Sequence, residues 1–326
     1  MVYGQQLPDL SQWFCVTPPP MLQIAHDPIY CLPLPVSSTG EPHRFPMGKY
    51  ELIPEQLLYE GTCTPGNFFS PPPVEDRWVL GVHAAEYVRQ LQTLTVSATM
   101  MRRIGFPLTA TLIKREWMIT QGTIDCARIA QRDGVALNVA GGTHHAFPDR
   151  GEGFCLLNDV GVAAHYLLDN QLARQILVID LDVHQGNGTA VMFQNESRVF
   201  TFSMHGRDNY PLKKEQSDLD VELLTGTDDA LYLNTVAETL PALLRRVQPD
   251  FLFYVAGVDI LATDRLGKLS VSREGCRQRD LFVFEQARRL GLPIAVSMGG
   301  GYSPRIADIV EAHCNTYRTA SNVFFD

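Results

Sequence analysis

Five short apolar runs constrain this chain more than any other feature. They are Val135–Val139, Ile176–Leu181, Arg198–Met204, Phe251–Val255 and Ile294–Ser297. Each is strand-length, rich in β-branched or aromatic residues, and continuous where a half-exposed strand would alternate. That texture belongs to strands covered on both faces, as in a parallel sheet. Helical patterns near 83–94, 117–132, 158–170, 228–247 and 273–290 separate the runs, with Asn158 and Thr227 at N-cap positions and Pro241 expected to kink or end its helix. The reading is α/β with a parallel sheet.

The segments at the carboxyl ends of the runs are equally regular. The first run leads into Gly141-Gly142-Thr143-His144-His145 and the second into Asp182-Val183-His184-Gln185-Gly186-Asn187. The third carries Ser203-Met204-His205, the fourth leads into Gly257-Val258-Asp259, and the fifth into Gly299-Gly300-Gly301-Tyr302. Open parallel sheets bind ligands beyond the carboxyl ends of their strands. Five strands therefore deliver glycine, histidine, aspartate or tyrosine to one edge.

Asp180, Asp182 and His184 share parity, so an extended segment projects them to one side. Asp182 and His184 could grip one metal ion, and Asp259 could complete the set. Three protein ligands leave a position open, the pattern of catalytic zinc, although the same donors would accept Fe(II), Co(II) or Mn(II). The adjacent His144 and His145 can supply a general base and a charged donor, with Asp180 and Asn187 available to orient the rings. Tyr302, on a glycine-rich turn, can donate to an oxyanion. That turn lacks the GKS/T or GxGxxG context of a phosphate cradle.

Proline marks off the start: residues 1–73 hold 14 of the 21 prolines, including Pro18-Pro19-Pro20 and Pro71-Pro72-Pro73. The expectation there is surface loops without long helices, with short strands at Leu22–Ala25 and Ile29–Leu32, forming a pocket rim. A formal net charge of −9 with no Lys/Arg cluster argues against nucleic acid, and for a basic protein tail or a polyamine as substrate that acidity would help encounter. The 7 cysteines show no CxxC spacing, and Met1–Leu10 lacks a basic and apolar leader, so reduced thiols and a cytoplasmic setting are expected. No apolar run reaches the roughly 18 residues of a membrane span.

Over about residues 75–320 the chain resembles the zinc-dependent histone deacetylases. The resemblance rests on Gly141–Ala146 (GGTHHA), Gly153–Asp159 (GFCLLND), Ile179–Thr189 (IDLDVHQGNGT), Ala256–Leu269 (AGVDILATDRLGKL) and Gly299–Tyr302 (GGGY). The wording around Asp259 and His43–Tyr50 (HRFPMGKY) is most like the class IV group and its bacterial relatives. The resemblance implies one deacetylase domain over 1–326, with Pro-rich rim loops over 1–75 and a catalytic core over 76–320. The implied fold is arginase-like, with a mostly parallel sheet of about eight strands.

It further implies zinc on Asp182, His184 and Asp259, His144 and His145 as the histidine pair with Asp180 and Asn187 as partners, and Tyr302 as oxyanion donor. Asn187 stands where some members carry aspartate. Gly153, Phe154, Tyr210 and Leu266 would wall a narrow lysine tunnel, with Tyr210 a departure from the usual phenylalanine. Gly300 and Arg44 would belong to the oxyanion and exit-channel side. One structural potassium is implied at Asp180, Ser203 and backbone carbonyls including that of Met204, and a second near Phe193 and Val199. The implied substrate is an acylated lysine of a peptide or protein, acetylated or longer-chain. An acetylpolyamine or other small amide is the alternative, and a catalytically silent acyl-lysine binder a more distant one.

Overall fold

The five runs and three further segments pair into one eight-stranded sheet. The computed structural model describes residues 21–36, 40 and 43–326, so the Pro18–Pro20 run lies outside the described residues. In chain order the strands are β1 (Gln23–Ala25), β2 (Phe68–Phe69), β3 (Val135–Asn138), β4 (Ile176–Asp180), β5 (Val199–Gly206), β6 (Leu219–Leu223), β7 (Phe251–Val255) and β8 (Ile294–Ser297). They lie side by side as β2-β1-β3-β8-β7-β4-β5-β6, with every pairing parallel. Every residue of β3, β4, β7 and β8 is buried, which is why those runs do not alternate. The edge strand β6 is mostly half-exposed and reads Leu-Asp-Val-Glu-Leu, so a search for continuous apolar runs passes over it.

Ten helices are described: α1 (Lys49–Tyr59), α2 (Asp76–Leu80), α3 (Ala85–Gln92), α4 (Ala98–Ile104), α5 (Ala110–Asp133), α6 (Asp159–Asp169), α7 (Asn187–Phe193), α8 (Asp229–Val247), α9 (Arg273–Leu290) and α10 (Ile306–Phe325). One packed group joins α5 to α6, and α6 to α2 and α7; another runs α1, α10, α9, α8. Asn158 caps α6 by accepting from the Gly161 amide, as expected.

Several expectations fail locally. Ile29–Leu32 forms no strand; Pro28–Tyr30 is a 3-10 turn capped by Asp27, because Pro28 presets the first helical φ. The Pro-rich region does hold a long helix, α1, with Pro54 inside it. A mid-helix proline costs about 3 kcal/mol. Yet Ile53 and Leu57 are fully buried, each worth about 1.5–3 kcal/mol, so packing offsets the lost bond. Likewise Pro241 does not stop α8, whose buried Leu240, Leu243 and Leu244 straddle it. The N-cap of α8 is Asp228 and not Thr227.

The register sets up the site. Asn138, Ser297, Val255, Asp180 and Ser203 are successive cross-strand partners and form one row across five strands. The loops beyond this row therefore leave the sheet at one level. Strands β7 and β8, late in sequence, fill the space between β3 and β4. That insertion makes β4 and β7 neighbours.

Candidate active site

Asp182 and His184 follow β4, Asp259 follows β7, and all three are buried with ligand atoms within 4.8 Å of one another. The His184 Nδ1 lies 3.0 Å from Asp182 Oδ1 and 3.1 Å from Asp259 Oδ2. The carboxylates are aimed from behind: the Gly300 amide donates to Asp182 Oδ2 at 2.7 Å, and the Val183 amide to Asp259 Oδ1 at 2.9 Å. A Cβ on Gly300 would sit 2.0 Å from Asp259 Oδ2, so only glycine fits between the two. Burial and the neighbouring Asp182 push Asp259 up to about 7. Two buried carboxylates this close, with an imidazole beside them, suit a divalent cation, which would relieve their repulsion.

His144 and His145 are brought into the same pocket, their ring centroids 4.1 Å apart. The bend between strand and pair needs Gly142 at φ +70, with the Gly299 amide 2.8 Å from where a Cβ would stand. The two rings meet opposite surroundings. His144 Nδ1 pairs with Asp180 Oδ2 at 2.7 Å. Burial alone would lower it, but Asp180 and Asp182 carry His144 up to about 9. His145 is held well below the usual range by burial and by the His144 and His184 rings. Its Nδ1 meets Asn187 Oδ1 at 2.6 Å, while Asn187 Nδ2 donates to Glu152 Oε1 at 2.9 Å. With Glu152 claiming the amide donor, Asn187 offers its oxygen. That fixes the Nδ1–H tautomer of His145 and leaves its Nε2 lone pair open.

A cavity of about 220 Å³ leads down to these rings, walled by Gly153, Phe154, Tyr210, Leu266 and Tyr302. Phe154 takes a left-handed backbone at φ +67 while its amide donates to the Ile104 carbonyl at 2.7 Å. Such strain in a non-glycine residue concentrates at functional sites. Tyr210 stands edge-on to His145, their centroids 4.9 Å apart. Asp264 joins two walls, accepting from the Leu266 amide at 2.8 Å and the Tyr302 amide at 2.6 Å. Burial first, then Asp182 and Asp259, hold the Tyr302 phenol well above its ordinary range, so it stays a donor.

Arg44, expected on an exit channel, stands instead at the outer cavity with its guanidinium 4.9 Å over the Phe154 ring. Behind the site lies a smaller cavity of about 40 Å³, lined by Gly142, Gly300, Phe45, Tyr50 and a different arginine, Arg115. Against three of the rings that line it, Phe45, Tyr50 and Tyr302, stands a buried cation the sequence did not reveal. Lys49 donates to the Gly299 carbonyl at 3.2 Å and lies 5.8 Å from the Tyr302 ring centroid. Burial pulls its ammonium down to about 8. The potassium candidates are spread along the adjoining strands: Asp180 and Ser203 are cross-strand partners and Met204 is next in the chain, while Phe193 ends α7 and Val199 begins β5.

Asp159 escaped notice in the sequence because one carboxylate after an N-cap looks ordinary. It is fully buried and accepts from Thr143 N and Oγ1, Gly142 N, Thr123 Oγ1 and Ser297 Oγ at 2.7–3.1 Å. It therefore ties the loop before His144 to α5, α6 and β8. Asp159→Ala strands these donors and is expected to cost roughly 4 kcal/mol in urea unfolding, at 1–3 kcal/mol per buried orphan. A loss under about 1 kcal/mol would show that the knot does not hold the loop.

His83 acts similarly on the next turn. Its Nδ1 faces the Phe147 carbonyl at 3.0 Å and its Nε2 accepts from the Asn158 amide at 3.0 Å. Burial lowers it to about 4. Above pH 6.5 the ring is neutral in the folded and the unfolded chain. Between 6.5 and about 4 only the unfolded chain takes up the proton, so stability falls as pH falls, by about 3 kcal/mol in total. Urea midpoints across this window should decline less steeply in His83→Gln; parallel declines would exclude His83 as the source.

Comparison with known proteins agrees with this architecture. A crystal structure of the HDA15 HD domain superposes with a TM-score of 0.78 at 21% identity, covering 93% of this chain and 89% of that one. It shows the fold, an arginase-like sheet of parallel strands flanked by helices. An uncharacterised protein of Picosynechococcus sp. is 42% identical over 301 residues, 92% of this chain and 99% of its own. Histone deacetylase 2 of Arabidopsis thaliana is 29% identical over 277 residues, 82% of this chain and 72% of its own. The sequence model of the histone deacetylase domain matches residues 43–317. That span takes in every candidate site residue from Arg44 to Tyr302, and with it this chain belongs to the histone deacetylase family, whose chemistry is deacetylase-type amide hydrolysis.

Proposed function

We propose that this protein hydrolyses the acyl amide of an N-ε-acyl-lysine, using one catalytic zinc ion held by Asp182, His184 and Asp259. The observation that carries the reading is the convergence of those three buried donors at the foot of an aromatic-walled cavity. Zinc, when bound, polarises the acyl carbonyl and acidifies a water. His145, neutral and with Nε2 free, takes the proton of the attacking water. His144, kept charged by Asp180, stabilises the developing charge, and one of the pair returns a proton to the departing amine. Tyr302 donates its hydroxyl to the oxyanion. Phe154, Tyr210 and Leu266 grip the lysine methylenes, each worth roughly 0.8 kcal/mol when buried. We read Asp180, Ser203 and the Met204 carbonyl as a structural potassium site, and the protein as cytoplasmic. No described helix is long and apolar enough to cross a membrane.

The test is a panel of acetyl-lysine peptides, longer acyl-lysine peptides and acetylpolyamines. Chelation should abolish hydrolysis and added zinc should restore it. Zinc-loaded protein that cleaves no acyl-lysine would refute the reading.

A further inference from the structure

The molecule carries a formal net charge of −9, yet the charged side chains among the described residues at the mouth of the outer cavity are two arginines. Arg44 and Arg103 are both exposed and both border that cavity, and among the described residues no carboxylate lines it. Each is held in place. The Arg44 guanidinium rests on Phe154, 4.9 Å from the ring centroid. Arg103 lies in the last turn of α4, and its carbonyl accepts from the Gly153 amide at 3.0 Å, so its backbone is fastened to the tunnel wall. Across the mouth, burial and then Glu152 hold the Tyr210 phenol above its ordinary range, and Arg103 opposes them. Among the described residues neither arginine forms an ion pair with an acid. On the Tyr210 side stands Glu152, which interacts with the Tyr210 hydroxyl, accepts from Asn187 Nδ2 at 2.9 Å and lies 4.0 Å from Arg150 Nε.

We propose that this mouth selects acyl-lysines flanked by acidic side chains and discriminates against lysine- and arginine-rich tails and polyamines. The proposal rests on the acyl-lysine reading and narrows it. A peptide that threads its acylated lysine past Phe154 places its neighbouring side chains at the mouth, where two guanidiniums meet them. Cation–π contact with Phe154 keeps the Arg44 charge near the axis without neutralising it. Long-range attraction of cations by the acidic molecule does not decide the outcome, because fields beyond about 10 Å are screened at 0.1 M salt while the rim charges act at contact. Exposed pairs are individually weak. An acidic flank gains from both arginines and a basic flank loses to both, so the ratio between them is expected to reach about tenfold.

The experiment uses the zinc-loaded full chain and matched acyl-lysine peptides with two aspartates or two lysines around the modified residue, plus acetylspermine. At 0.1 M salt, kcat/KM for the acidic peptide should exceed that for the basic one about tenfold, chiefly through KM. The ratio should shrink towards about twofold at 1 M salt, where screening reaches about 3 Å. The double variant Arg44→Glu/Arg103→Glu should reverse the order. Equal values at 0.1 M salt, an unchanged order in the double variant, or preferential cleavage of acetylspermine would overturn the proposal. Fluorescence anisotropy on the same peptides supplies the Kd ratio independently of turnover. Tighter binding of the acidic peptide without hydrolysis of either would sink the acyl-lysine reading and uphold the charge preference. Equal Kd values without hydrolysis would sink both.

Discussion

Asp259→Ala is expected to empty the metal site and to lower kcat/KM by at least about 10³, since a Lewis acid supplies several kcal/mol and each 1.36 kcal/mol is tenfold. The geometry explains why one ligand should matter this much. Asp259 comes from β7 and is the single donor not carried by the 182–184 segment. Without it, one carboxylate and one imidazole remain, too few for a catalytic zinc site with three protein ligands. The alanine also leaves the Val183 amide without its 2.9 Å acceptor, so some stability should be lost with the metal. Asp259→Asn separates the two effects, because its carbonyl can still accept from Val183 while the ligand charge is gone. Metal content measured beside kcat/KM checks both variants. Either variant retaining full metal and full activity would remove Asp259 from the ligand set.

Tyr302→Phe is expected to lower kcat by about 10²–10³ while leaving KM and metal content close to those of the parent, because an oxyanion donor acts as charge builds on the acyl oxygen. The ring itself should stay where it is. It is fixed through the backbone by Asp264, which accepts from the Tyr302 amide at 2.6 Å, and by aromatic packing against Phe45 and Phe154 at centroid distances of 5.9 and 6.0 Å. Neither anchor uses the hydroxyl, so phenylalanine deletes the donor and little else. Steady-state kinetics on the best acyl-lysine peptide gives the answer. An unchanged kcat would take Tyr302 out of the chemistry, and a rise in KM alone would make it a binding residue.

Much of this architecture is legible in the amino-acid order alone. Continuous apolar runs such as Phe251–Val255 can be stable only if both faces are covered, and that requirement already implies a buried parallel sheet with helices around it. The clustering of His144, Asp182, Asp259 and Tyr302 just beyond such runs is likewise local information, because side-chain chemistry and chain position can be read without knowing the partners. What only tertiary structure decided is which segments meet. The neighbours of β4 include β7, whose first residue lies 75 positions after that of β4, and this pairing alone brings Asp259 to Asp182. The claim of Glu152 on Asn187, the five donors around Asp159, the burial of Lys49 beneath Tyr302 and the place of Arg44 at the mouth all depend on such long-range packing. So does α1, where a proline-containing helix survives because Ile53 and Leu57 find a core to enter. Periodicity and propensity report the environment a segment needs; only the assembled core determines which distant residues supply it.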